Sequence, residues 1–279
     1  MDPSAAGLML VAGLLHASWH AIVKRGTGLP ILAGMGVVSS VVALPFLLFV
    51  PLPPGSVWLI LLLSVALHAA YKISLARAYA SADFSKAYPL ARGLVPLFAA
   101  ALSYLWLNQL PGVGQSAGIV AIVCGAVGLV VDRVSFQLQV RSLLAALGAS
   151  LMVAGYSVVD AWGAHSSVGW ASFTAWLIVI DSVAFLLIAR LIQGPTLWSE
   201  CVRAKTETLI AGVLGVTAFA VFIWALSHNP VANVTAFREC SVLFGALIGM
   251  TLLKERFTLQ KLCCVSLITA GLILIAVLK

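Results

Sequence analysis

The stretch LIAGVLGVTAFAVFIWAL, Leu209–Leu226, runs eighteen residues with no charge and a single hydroxyl, that of Thr217. At ~1.5 Å per helical residue a run of this length nearly crosses the ~30 Å hydrocarbon core of a bilayer. No water is available there for backbone N–H and C=O groups, so the stretch has to fold as a helix that satisfies them internally.

Working outward, the same pattern recurs along the chain. Apolar spans are expected at 4–24, 30–50, 56–80, 84–106, 113–132, 141–163, 169–192, 206–227, 231–253 and 258–278. Breakers separate them. Pro51, Pro53, Pro54 and Gly55 follow the second, Pro111, Gly112 and Gly114 follow the fourth, and Gly194 and Pro195 follow the seventh. The whole composition agrees: 62% of the 279 residues are hydrophobic and 9% charged, where an ordinary soluble domain has about 25% charged. Mean hydropathy is +1.10. Too few polar groups exist to cover a soluble surface, so a polytopic α-helical membrane protein is expected. The start, Met1-Asp2-Pro3, lacks the basic region of a cleavable signal, so the first span is expected to be retained.

The net charge of +7 does not point to nucleic acid. The basic residues form no patch and flank apolar stretches, as helix-end anchors do. Lys24, Arg25, Arg77, Lys86, Arg133, Arg141, Arg190, Arg203, Lys205, Lys254, Arg256 and Lys261 fall on or beside odd-numbered loops, against Lys279 on the other face. The positive-inside rule then places the odd loops in the cytoplasm and both termini outside. The five cysteines form no C-x-x-C pair, and four lie in apolar segments, where they read as small packing residues.

An internal repeat emerges when the sequence is shifted by 146 positions. Ser81 meets Ser227, Arg92 meets Arg238, Leu97-Phe98 meet Leu243-Phe244, Leu107 meets Leu253 and Gly125 meets Gly271, without a gap. A shift of 137 lays the first span on the sixth, bringing Ala17 onto Ala154, Trp19 onto Tyr156 and Gly26 onto Gly163. A repeat of five helices is odd, so the second copy enters the membrane upside down, as in many secondary transporters whose sites lie between the repeats. The expected fold is all-α, with ten transmembrane helices in two inverted five-helix repeats, 1–134 and 135–279, around a central cavity.

Three segments carry a family likeness. Leu15-His16-Ala17-Ser18-Trp19-His20-Ala21-Ile22-Val23-Lys24 resembles the first helix of EamA-type transporters of the drug/metabolite transporter superfamily. The segment Ala78-Tyr79-Ala80-Ser81-Ala82-Asp83-Phe84-Ser85-Lys86-Ala87-Tyr88-Pro89-Leu90 is similar to that family's junction between helices three and four. Leu253-Lys254-Glu255-Arg256-Phe257-Thr258 resembles its short acidic turn before the last helix; the first half departs from it, with Asn108-Gln109 in that place. Within the family, Tyr88-Pro89-Leu90-Ala91-Arg92-Gly93 is similar to a branch associated with phosphonate use. The resemblance covers the chain and implies two inverted halves around a cavity that carries small metabolites.

Ionisable residues inside a bilayer are costly and usually face a cavity or a partner. Lys72, Arg92, Arg238, Asp160, Asp181 and Glu239 all lie within expected spans. Arg92 and Arg238 sit about eight residues into their helices, roughly 12 Å deep at ~1.5 Å per residue. They are candidates either for binding a carboxylate, phosphate or phosphonate or for ion pairing with Asp181, Asp160 or Glu239. Tyr88 shares a face with Arg92, and Pro89 between them loosens the helix. His68, Lys72 and Tyr79 share a face of the third span, with Tyr71 at its edge. His16, Trp19, His20 and Lys24 share a side of the first. His16 and His20 have the spacing of a helical metal pair; with no third ligand evident, they read better as a cavity wall or as packing histidines. Tyr156 pairs with Asp160 along the sixth span, and Trp224 with His228 along the eighth.

The substrate-binding candidates are therefore Arg92, Arg238, Lys72, Tyr88, His20, Trp19, Tyr79, Tyr156, Asp160 and Trp224. Asp181, Glu239, His16 and His68 are candidates for ion pairing or proton coupling, as is Asp160. The expected function is secondary active transport, by alternating access, of a small anionic or zwitterionic metabolite of amino acid, organophosphate or phosphonate type across the cell inner membrane or plasma membrane, with possible proton coupling; neither a cofactor nor a metal is called for. No P-loop motif points to ATP. An exporter of drugs or cations would need unpaired acids on the cavity wall, whereas basic residues dominate. An intramembrane protease would need a pair such as Asp160 and Asp181 in a recognisable motif, and a structural protein would have no polar cavity. The oligomeric state is not encoded in any motif.

Overall fold

The computed structural model describes residues 3–26, 28–81, 92–128, 140–252 and 258–278, with side chains described outside 3, 78–81, 140–146 and 249–252. Its regular elements are helices: α1 Pro3–Arg25, α2 Leu29–Ala43, α3 Gly55–Ser81, α4 Val95–Leu107, α5 Val113–Gly128, α6 Val140–Ala164, α7 Gly169–Gln193, α8 Leu197–Arg203, α9 Lys205–Leu226, α10 Val231–Arg238, α11 Cys240–Leu252 and α12 Leu259–Val277. Seven helical stretches among the described residues are long and apolar enough to cross a membrane, and α4 and α5 are shorter apolar helices.

The polarity of the bundle is the reverse of a soluble protein's. Leu59, Leu105, Trp106, Leu187, Leu191 and Leu209 face outward. His16, His20, Ser64, His68, Arg92, Asp160 and Glu239 are buried. An exterior this apolar suits lipid, and the polar groups inside must satisfy one another.

Three spans differ from their sequence outlines. The second ends in a 3₁₀ turn, Leu44–Leu48, at Pro45. The seventh is followed by the short helix α8, where only a loop was expected. The ninth is two helices: the ladder is interrupted at Glu239, and α10 gives way to α11. Hydropathy could not reveal that break, because the stretch stays apolar on both sides of Arg238-Glu239.

The halves interlock. Helix α1 packs on α9 and α11, while its counterpart α6 packs on α3 and α4; α2 lies on α7, and α5 on α12. Under the repeat correspondence each of these contacts maps onto another with the halves exchanged, or onto itself. The α5–α12 seam shows this in atomic detail. A Cβ at Gly125 would stand 2.7 Å from the Cys264 carbonyl oxygen and 2.6 Å from Ile268. One at Gly271 would stand 2.6 Å from the Gly118 carbonyl oxygen and 2.8 Å from Ile122. The 146-residue shift carries the first set of contacts onto the second. Small residues let the two backbones touch, the usual device where lipid supplies no hydrophobic drive between helices.

Candidate functional site: a polar cavity between the halves

A cavity of about 120 Å³ lies where α1, α2 and α3 of the first half meet α6, α7, α9 and α10 of the second. Its polar wall consists of His16, Trp19, Ser39, His68, Tyr71, Lys72, Tyr156, Asp181, Ser182 and Arg238. Trp19 and Tyr156, superposed by the 137-residue shift, both line it.

Arg238 is the last residue of α10, next to the helix break, and its side chain reaches the cavity. Its partners are neutral. Nη1 donates to the Tyr156 hydroxyl at 3.2 Å, Nη2 approaches His16 Nδ1 at 3.5 Å, and the guanidinium lies 4.1 Å above the Phe222 ring. The His16 Nδ1 also accepts from the Trp19 indole at 3.2 Å. With donors converging on Nδ1, His16 carries its proton on Nε2, which faces His20 Nε2 at 3.1 Å. The His20 ring stacks on Trp19, centroids 3.6 Å apart. The helical histidine pair is thus joined by a hydrogen bond and braces Arg238.

Arg92 is placed differently. It is 1% exposed, does not line the cavity, and its Nη2 donates to Glu239 Oε1 at 2.7 Å. Of the acids weighed as arginine partners, Glu239 is the one used. Two guanidinium groups share this carboxylate's neighbourhood, and geometry gives the carboxylate to Arg92.

Two further charge clusters complete the wall. Lys72 on α3 pairs with Asp181 on α7, and its ammonium sits 4.8 Å from the Phe185 centroid. Asp160 on α6 is fully buried behind the cavity surface; it accepts from the Ser64 hydroxyl and contacts His68 Nε2 at 3.1 Å. The His68 ring stacks on Tyr156, centroids 3.9 Å apart. Ser64, His68 and Lys72 are spaced by four along α3, so the series shares a face; Ser64 was overlooked although its spacing was legible.

Of the sequence candidates, Arg238, Lys72, Trp19, Tyr156, Asp181, His16 and His68 meet at the cavity. His20, Asp160, Arg92 and Glu239 stand behind its surface. Trp224 lies away from it, 5.1 Å from the His228 ring. Tyr88 and the side chain of Tyr79 lie outside the described residues. Sequence reasoning missed Phe222 beneath Arg238 and Phe219 edge-on to His68, because an aromatic in an apolar run carries no mark of its neighbour.

A helical membrane bundle built from two copies of one unit, with charged groups converging on a cavity between them, defines the class of membrane transporters with an internal repeat. The chain belongs to the EamA-like transporter family, whose model matches residues 3–131 and again 140–277. Among solved structures 28 chains match. One, described only as the crystal structure of a protein, is 16% identical with a TM-score of 0.75, and the match covers 100% of this chain and 98% of that one. That likeness speaks for the fold. No curated relative matches the chain. The protein is accordingly a multi-pass integral membrane protein of a transporter family.

Proposed function

We propose that the protein is a secondary active transporter that moves a small anionic or zwitterionic metabolite, of amino acid, organophosphate or phosphonate type, across the cytoplasmic membrane by alternating access. The observation that carries this reading is Arg238, a cation on the cavity wall whose described hydrogen-bond partners are all neutral. A guanidinium so placed is built to receive a carboxylate or phosphoryl oxygen pair. The neighbouring Lys72–Asp181 pair is closed on itself, so Arg238 is the cation on the wall whose hydrogen-bond donors are not committed to a carboxylate, which favours an anion over a cation there. The cavity of about 120 Å³ compares with the ~150 Å³ that admits benzene, which favours a small cargo.

Five helices per copy support reading residues 1–134 and 135–279 as inverted halves of a ten-span bundle, rocking about the site between them. The test is counterflow in liposomes with single radiolabelled amino acids, organophosphates, phosphonates and organic cations. Anions or zwitterions should be carried, and Arg238→Gln should raise their apparent Kd at least tenfold. Transport of cations alone would overturn the reading.

A further inference from the structure

The three acids at and behind the cavity wall, Asp160 and Glu239 buried and Asp181 half-buried, are not equivalent. Glu239 is held by the Arg92 guanidinium and Asp181 by the Lys72 ammonium. Among the described residues Asp160 has no such partner: its carboxylate is held by the Ser64 hydroxyl and the His68 imidazole. We propose that the Asp160–His68 dyad is a proton site, and that one proton bound there accompanies each net negative charge carried at Arg238. This inference rests on the transport reading above.

The argument is charge balance in a low-dielectric interior. Among the described residues Lys72, Arg92 and Arg238 offset Asp160, Asp181 and Glu239 when the histidines are neutral, so these six charges sum to zero around the empty site. An anion bound to Arg238 adds an uncompensated negative charge, which is expensive away from water. The dyad removes it by taking one proton from the aqueous side, shared between an Asp160 carboxylate oxygen and His68 Nε2. The loaded site is then neutral again, and release of the anion and proton on the far side restores the starting state. Anion and proton binding each favour the other, as linkage requires.

The geometry provides the contact between the two sites. His68 reaches the cavity surface, Asp160 stands behind it, and the His68 ring stacks on Tyr156, whose hydroxyl accepts from Arg238. The titratable groups that line the cavity with His68 are Tyr71 and Lys72 on α3, Tyr156 on α6, Asp181 on α7, Arg238 on α10 and His16 on α1, with His20 behind His16. Helix α9 presents Phe219 to the imidazole. His16 already uses Nδ1 as an acceptor toward Trp19 and Arg238, which leaves the dyad as the better proton carrier.

The experiment uses the full-length protein in liposomes, with radiolabelled glutamate and phosphoethanolamine as probes of net negative charge. Counterflow and gradient-driven uptake are measured on the same vesicles. A one-unit pH gradient, acid outside, should concentrate a singly charged probe about tenfold in the wild type, since tenfold in proton activity is ~1.4 kcal/mol. Asp160→Asn should keep counterflow and lose the accumulation; Asp160→Ser serves if the asparagine variant does not fold. Accumulation that survives in a folded Asp160 variant overturns the proposal. So does wild-type counterflow without accumulation, which leaves the transport reading standing. If the wild type carries neither probe, the proposal is overturned together with its anionic cargo.

Discussion

Glu239 stands 146 residues after Gly93, at the equivalent place in the second half, and its carboxylate takes Nη2 of Arg92 at 2.7 Å. The repeat therefore breaks its own symmetry at this position, beside its paired arginines. Glycine can offer Arg238 no counterpart to the carboxylate that Glu239 offers Arg92. One arginine of the pair is neutralised within the protein, and its twin faces the cavity.

From this asymmetry the two arginines should differ in what their loss does. Arg92→Ala leaves the Glu239 carboxylate buried without its cation and should cost about 3–5 kcal/mol of stability. Arg238→Ala removes a charge whose described partners are neutral and should leave the melting temperature within a few degrees while abolishing binding. Thermal unfolding in detergent measures both. Equal destabilisation by the two substitutions would contradict the division of roles.

The Lys72–Asp181 pair joins α3 to α7 at the cavity edge, with side chains 19% and 15% exposed. Removing either member strands the other charge. Lys72→Met and Asp181→Leu should each destabilise, and the double variant should lose less than the sum of the two, with a coupling of about 0.5–3 kcal/mol in the cycle. Additive losses would show that the two charges act independently.

At the α5–α12 seam, Gly125→Ala and Gly271→Ala should cost a similar amount, about 1–3 kcal/mol each, because the new methyl meets a backbone carbonyl that cannot swing aside. Gly7→Ala in α1 is the control: a Cβ there meets nothing within 4 Å. It should be neutral or slightly stabilising, since alanine is the better helix former. If all three substitutions behave alike, the seam is looser than the contacts indicate.

Much of this architecture was legible in the residues. Pro51–Gly55 marked the end of one span and the start of the next, and the register of Arg92 on Arg238 and Gly125 on Gly271 revealed the repeat. The spacing of four placed His16 beside His20 and His68 beside Lys72. What the chain concealed was choice among partners. Asp160, Asp181 and Glu239 were equally available to either arginine on paper, and only the crossing of helices decides that Glu239 meets Arg92. The break at Glu239 was hidden for a different reason: an interrupted hydrogen-bond ladder leaves hydropathy unchanged. Helix α8 escaped because Trp198, Glu200 and Arg203 lack a span's apolar run.

The interlocked packing has a consequence for how the protein is made. Among the described residues α1 finds its main neighbours in α9 and α11, and α2 finds its own in α7 and α9. The early helices therefore enter the bilayer long before the surfaces they match have left the ribosome. During that interval they wait among lipids, with His16, His20 and His68 unshielded. Assembly is thus a late event of biogenesis, since among the described residues each half makes its main helix contacts with the other.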